Sequence, residues 1–362
     1  MKITFPHMGN LYIPIRSLLQ NLGHDVVVPP PCSKKTLEIG LRYSPEFVCL
    51  PLKINIGNFV EAIEQGADSV LMAGGWGPCR FGYYAQLERD ILHKLGYKFD
   101  LFVLESPDNR MKELIGEVKT LKTDKSWGQV IHAIKLAWEK LKASDQMEML
   151  LEYWLPRAAD KDQAEKAYHY GLQDIDSSPD RRTVRGVVDD YRAKFKNLQI
   201  SEPEPLKIGL VGEVYTILEP FANYDIERSL GRMGAEVTRS IYLSHWVNDH
   251  LLGGLLKVGS SKPVLPLSAP YLNYWVGGHG RESVAYTVKF ARQNFDGVIQ
   301  IGPLTCMPEI VAQSIMGRVQ QVEGIPVMSL YFDEHAGQAG LNTRLEAFLD
   351  MIRWRKTKAR EA

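Results

Sequence analysis

The chain has 362 residues, 45% hydrophobic and 24% charged, which is ordinary for a globular protein with a sizeable core. Its 43 Lys and Arg balance 43 Asp and Glu, so bulk charge gives no ground for nucleic acid or an anionic membrane as partner. The opening MKITFPHMGNLYIPIRSLL lacks the apolar core of a signal peptide, and no membrane-length apolar run follows, so a cytoplasmic protein is expected.

The first segment, KITFPHMGNLYIPIRSLLQNLGHDVVVPP, reads as a strand, a Gly loop, an amphipathic helix, a C-cap Gly and a second strand. Cys32 follows that strand in VVVPPPCSKKTLEIG, ahead of a helix. EFVCLPLK reads as a short apolar strand ending in Cys49 and Pro51, with a helix beginning near Asn58. VLMAGGWGPCRFGYY is a buried strand that breaks into a Gly/Pro loop and delivers Cys79 before an amphipathic run. From about 106 to 200 the composition turns charged and helical, with Trp127, Trp138, Tyr153 and Trp154 expected to pack helices together. QISEPEPLK then reads as a rigid linker.

At Lys207 the opening order repeats, in KIGLVGEVYTILEPFANYDIERSLGRMGAEVTRS. FDGVIQIGPLTCMPEIVAQSIMGRVQQVEGIPVMSLYFDE likewise repeats ADSVLMAGGWGPCRFGYYAQLERDILHKLGYKFDLFVLE, which makes Cys79 and Cys306 equivalent. The expected fold class is α/β, two related Rossmann-like lobes with parallel sheets plus a helical insertion. The boundaries are 1–105 for an N-terminal lobe with three cysteines, 106–205 for the insertion and linker, and 206–362 for a C-terminal lobe with one.

Ligands of open α/β sheets bind outside the carboxyl ends of the strands, where loops run into helix N-termini. Cys32, Cys49, Cys79 and Cys306 are all read in such loops, whereas a packing cysteine belongs mid-strand or on a buried helix face. A helix N-terminus favours the thiolate, the form that binds a metal or cluster. In a reducing compartment the four are therefore read as metal or cofactor ligands, with scattered core thiols as the competing reading. Gly74, Gly75 and Gly77 let the backbone approach a bulky inorganic group, and Arg80 and Lys53 either offset its charge or are surface cations. His279, Arg281 and Glu282 form a Gly-rich turn that either closes over a ligand or caps a helix from Glu282 onward. Asp333, Glu334 and His335 follow a strand and could move protons, and Glu309 reads as a helix N-terminal acid.

In CLPLKINIGN, GGWGPCRFGYY, VGGHGRE, TCMPE and DEHAGQAGLNTRLEAF the chain resembles the 2-hydroxyacyl-CoA dehydratase and benzoyl-CoA reductase superfamily. Within it the likeness is to proteins related to CoA-substrate-specific enzyme activases. The motifs lie in both lobes and none in the insertion. The resemblance implies a cysteine-ligated iron-sulfur redox protein, with Cys49, Cys79 and Cys306 as ligands and Cys32 as the fourth, suited to one 4Fe-4S cluster. It also implies a separate ATP-hydrolysing activator with its own iron-sulfur cluster as electron donor, and dimers as a further mode of assembly. The chain has no G-x-x-x-x-G-K-[ST], so ATP hydrolysis is assigned to that partner. Three further readings stay open: a radical dehydratase or reductase acting on an acyl-CoA at an iron left free by three-cysteine ligation, a zinc protein, and a metal-free binding protein.

Overall fold

The computed structural model describes residues 1–75, 77–104, 116, 119–201, 204–250 and 260–361. They form two compact units, one of Met1–Asp145, Gln173–Val187 and Tyr242–Ser260, the other of Gln146–Leu172, Val188–Ile241 and Ser261–Ala362. The first unit starts with β1 (Lys2–Thr4), α1 (Tyr12–Asn21), β2 (Asp25–Val26), α2 (Lys34–Tyr43) and α3 (Leu50–Glu64). It continues through β3 (Ser69–Ala73), α4 (Tyr84–Lys94) and β4 (Asp100–Leu104). The strands pair in the order β2-β1-β3-β4, all parallel, with Ile3 aligned to Val26 on one side and to Ser69 on the other. The chain thus leaves β1 to one side and returns as β3 on the other, which opens a crevice at the carboxyl ends of these two strands.

Three long helices follow, α5 (Trp127–Trp154), α6 (Lys161–Ser177) and α7 (Arg181–Lys196), and the unit boundaries fall inside each of them. Trp127 and Tyr153 are exposed on α5, so the expectation that they pack helices together does not hold for these two. Tyr153 instead carries the Arg157 guanidinium over its ring at 3.7 Å.

The second unit repeats the first: β5 (Leu206–Gly212), three short helices α8 (Val214–Leu218), α9 (Pro220–Asn223) and α10 (Ile226–Arg232), then β6 (Ala235–Arg239). After α11 (Leu243–His250), which belongs to the first unit, come α12 (Gly280–Arg292), β7 (Gly297–Pro303), α13 (Met307–Glu323), β8 (Val327–Phe332) and α14 (Gln338–Glu361). Its sheet order is β6-β5-β7-β8, again all parallel and with the same switch point. The repeat extends to single hydrogen bonds. The amide of Lys2 donates to the Asp68 carboxylate, and that of Lys207 to the Asp296 carboxylate, each at 2.8 Å. Each sheet is therefore built by three crossovers in the Rossmann-like manner, and its central strands are buried, as parallel strands covered by helices require: Ile3, Val70, Ile208, Val298 and Ile299 are fully buried. No described helix is long and apolar enough to cross a membrane.

One expected strand is absent. EFVCLPLK is a turn over 45–48 that runs straight into α3, because Pro51 in the first helical turn is pre-organised for a helix and costs it no hydrogen bond. Cys49 is accordingly the N-cap of α3 and does not end a strand.

Candidate functional site

In the first unit α3 organises the carboxyl end of the sheet. All residues from Leu50 to Ala62 are buried, and the helix packs along α2 through two glycines. A Cβ on Gly57 would stand 1.9 Å from the carbonyl oxygen of Thr36, and one on Gly40 would stand 1.8 Å from that of Lys53. No side chain fits at either place, so the two backbones meet directly. The contact locks together the two helices whose N-termini follow Cys32 and Cys49. The start of α2 is fixed by a capping box: Thr36 N–H donates to Ser33 Oγ at 3.3 Å, and Ser33 N–H donates to Thr36 Oγ1 at 3.1 Å. Thr36 also donates to Glu61 Oε2 of α3 at 2.6 Å.

Cys79 caps the short 3-10 turn Arg80–Tyr83 and joins Cys49 through the next residue. Arg80 donates to Cys49 Sγ at 2.9 Å and to the Phe47 carbonyl at 2.8 Å. Arg80, the residue after Cys79, thus reaches the Cys49 sulfur and brings the loop carrying one predicted ligand within a side chain's length of the other. The loop before Cys79 turns at Gly77, whose φ of 96° suits glycine, and packs Gly75 against the ring of Phe81. Cys32 sits elsewhere on the same helix pair. Its thiol donates to Asn58 Oδ1 at 3.6 Å, and Asn58 follows Cys49 by nine residues, about 13 Å along the axis of α3. Lys53 is buried inside α3, so it is not a surface cation.

In the second unit Cys306 is the N-cap of α13, with Pro308 in the first turn, and is buried. Three residues on, Glu309 lies in the first turn of α13, as expected of a helix N-terminal acid, but it does not face solvent. It is fully buried and accepts from Ser283 Oγ at 3.0 Å and from Gln300 Nε2 at 2.8 Å. Burial, with Glu213 and Glu282 nearby, pushes its carboxyl up to about 8. His279 is the N-cap of α12, so that helix starts at Gly280, ahead of Glu282. Arg281 donates to Ser268 at 3.1 Å. Asp333 turns back to accept from the His335 amide at 2.9 Å.

The first unit has a matching buried acid. Glu88 of α4 is fully buried, accepts from Asn55 Nδ2 of α3 at 3.2 Å, and is pushed by burial up to about 8. In each lobe, then, the helix after the third strand carries a neutral glutamic acid bonded by the crossover helix before that strand. The sequence reading missed Glu88, Asn55 and Asn58. A signal existed: Asn55, Asn58 and Glu61 recur at every third position of an otherwise apolar helix, which puts amides and a carboxyl on one buried face.

Of the four predicted ligands, Arg80 links the caps at Cys49 and Cys79, while Cys32 bonds to Asn58 farther along α3; thiols with a glycine loop and a nearby cation are donor chemistry that a metal or cluster can take. Compared with known proteins, the chain matches no family model and no curated protein.

Proposed function

We propose that this chain is a 4Fe-4S redox protein of the dehydratase-component type, accepting low-potential electrons from a separate ATP-hydrolysing activator. The observation that carries the reading is the pair of cysteine caps, Cys49 and Cys79, with Arg80 on the Cys49 sulfur. Cys306 takes the same cap position in the repeated lobe and is the further ligand that the motif resemblance implies. A bound cluster would supply one-electron transfer, and a cation donating to a ligating sulfur raises its potential. Cys32 remains the fourth candidate. Its bond to Asn58, far along α3 from Cys49, favours a second reading in which three cysteines hold the cluster and one iron stays open to an acyl-CoA.

The test is iron, acid-labile sulfide and zinc content of protein purified without oxygen, with spectra before and after dithionite. About four iron and four sulfide per chain, with a brown absorbance that bleaches and is lost in Cys49→Ser and Cys79→Ser, is the expected result. A folded, colourless protein after attempted reconstitution, or stoichiometric zinc at these cysteines, overturns the proposal.

A further inference from the structure

A different set of groups gathers at the carboxyl end of β1. His7 lies three residues past the strand, beside the crevice between β1 and β3, and its ring nitrogen and Cys32 Sγ are within 4.8 Å of each other. Cys32 Sγ is also 3.6 Å from Asn58 Oδ1. An imidazole nitrogen from the β1 loop and an amide oxygen from α3 thus each lie close to the one thiol sulfur of the β2 loop. We propose that His7, Cys32 and Asn58 hold a divalent ion of the zinc class, separate from the cluster cysteines.

The Cys32–Asn58 spacing fits two ligands of one ion. Sulfur at about 2.3 Å and oxygen at about 2.1 Å from a tetrahedral metal stand about 3.6 Å apart, which is the Cys32–Asn58 separation. The donor set selects the metal class. A thiolate with an imidazole disfavours magnesium and calcium and suits zinc or cobalt. Asn58 adds a second observation, because it is fully buried and its Nδ2 has no hydrogen-bond partner. A buried amide N–H left unsatisfied is costly, and a water held on the metal beside Oδ1 would give it an acceptor. His7 and Cys32 are only half-buried, which leaves an approach for the ion. Binding would release the Cys32 thiol proton to solvent, so affinity should rise with pH.

The inference goes beyond the cluster reading and does not rest on it. Full-length protein purified without oxygen is titrated with cobalt(II), followed by the sulfur-to-cobalt charge-transfer band, alongside iron and sulfide analysis. One cobalt per chain is expected, with affinity falling at least about tenfold in His7→Ala and Cys32→Ser. Iron and sulfide should survive in Cys32→Ser. Loss of iron together with cobalt in Cys32→Ser would make Cys32 a cluster ligand and overturn the site. Unchanged cobalt affinity in His7→Ala would reduce the contact to a thiol–amide hydrogen bond and overturn it equally. Cobalt bound at His7 and Cys32 in a protein without iron would sink the cluster reading and leave this one standing. X-ray absorption at the zinc edge of the wild-type protein serves where a variant misfolds: one sulfur among lighter scatterers supports the site, and an all-sulfur shell refutes it.

Discussion

Arg80 donates to Cys49 Sγ and to the Phe47 carbonyl at once, so one exposed side chain ties the loop carrying Cys79 to the cap of α3. Arg80→Ala should change little in stability, less than about 1 kcal/mol, because Arg80 is an exposed residue. Under the proposed function its effect falls on the cluster: without the cation the reduction potential moves to a more negative value. Arg80→Lys keeps the charge but not the planar fork that serves both acceptors, so its potential should lie between the two. Spectroelectrochemistry of the three proteins gives the order, and equal potentials would dissociate Arg80 from the cluster.

The close approach of α2 and α3 is the feature most sensitive to one added carbon. Gly57→Ala and Gly40→Ala each drive a methyl into a backbone carbonyl that cannot rotate away. Overpacking at a flexible site costs about 1–3 kcal/mol, and with backbone on both sides the upper end or more is expected. Gly186→Ala is the control, since a Cβ there meets nothing within 4 Å and the residue lies in α7. It should stabilise by about 0.5–1 kcal/mol. Urea midpoints for the three variants decide the point, and a neutral Gly57→Ala would show that the helix pair can part at no cost.

These glycines also show what could be read from the sequence. The lobes were legible because each βαβ unit repeats local signals, and even the Lys2–Asp68 and Lys207–Asp296 contacts sit at matching places in the repeated strings. Cys79 and Cys306 were legible for the same reason. The start of α3 was not, because CLPLK is apolar enough for a strand and only the long helix behind it, packed on α2, makes Pro51 a helix starter. Glu88 carries no signal in the sequence, and Glu309 shows only as a helix N-terminal acid. Their burial depends on partners 33 residues away at Asn55 and 26 away at Ser283, a relation that periodicity does not carry.

Those two acids set a pH dependence. A carboxyl that ionises near 4.5 when unfolded but near 8 when folded keeps its proton only in the native state between these values. The native state then binds more protons, so stability falls as pH rises through that window and levels off above it. Each group contributes on the order of several kcal/mol to the fall. Glu88→Gln and Glu309→Gln keep a neutral amide in place and should each flatten the profile. Glu227, also held near 8 by burial, leaves a residual slope. Urea midpoints from about pH 5 to about pH 8 measure this, and parallel profiles for wild type and both variants would mean the acids are ionised in the fold.

Within the second unit, Arg239 at the end of β6 is almost fully buried and faces three carboxylates: Glu148 and Glu152 of α5 and Glu227 of α10. Glu152 lies at 2.9 Å and Glu227 at 3.4 Å. Burial, with Glu152 and Glu148 adding repulsion that the one cation does not cancel, pushes the Glu227 carboxyl up to about 8. Arg239→Met should cost about 3–5 kcal/mol, because the acids lose a cation that pairs with all three while still out of water. Adding Glu152→Gln to Arg239→Met should recover part of the loss by removing one stranded charge, so the double variant is expected to be more stable than the single. Urea denaturation of the wild type and the two variants tests the order. If the double variant is the less stable, the role of Arg239 is to pack against α5, and its charge is incidental.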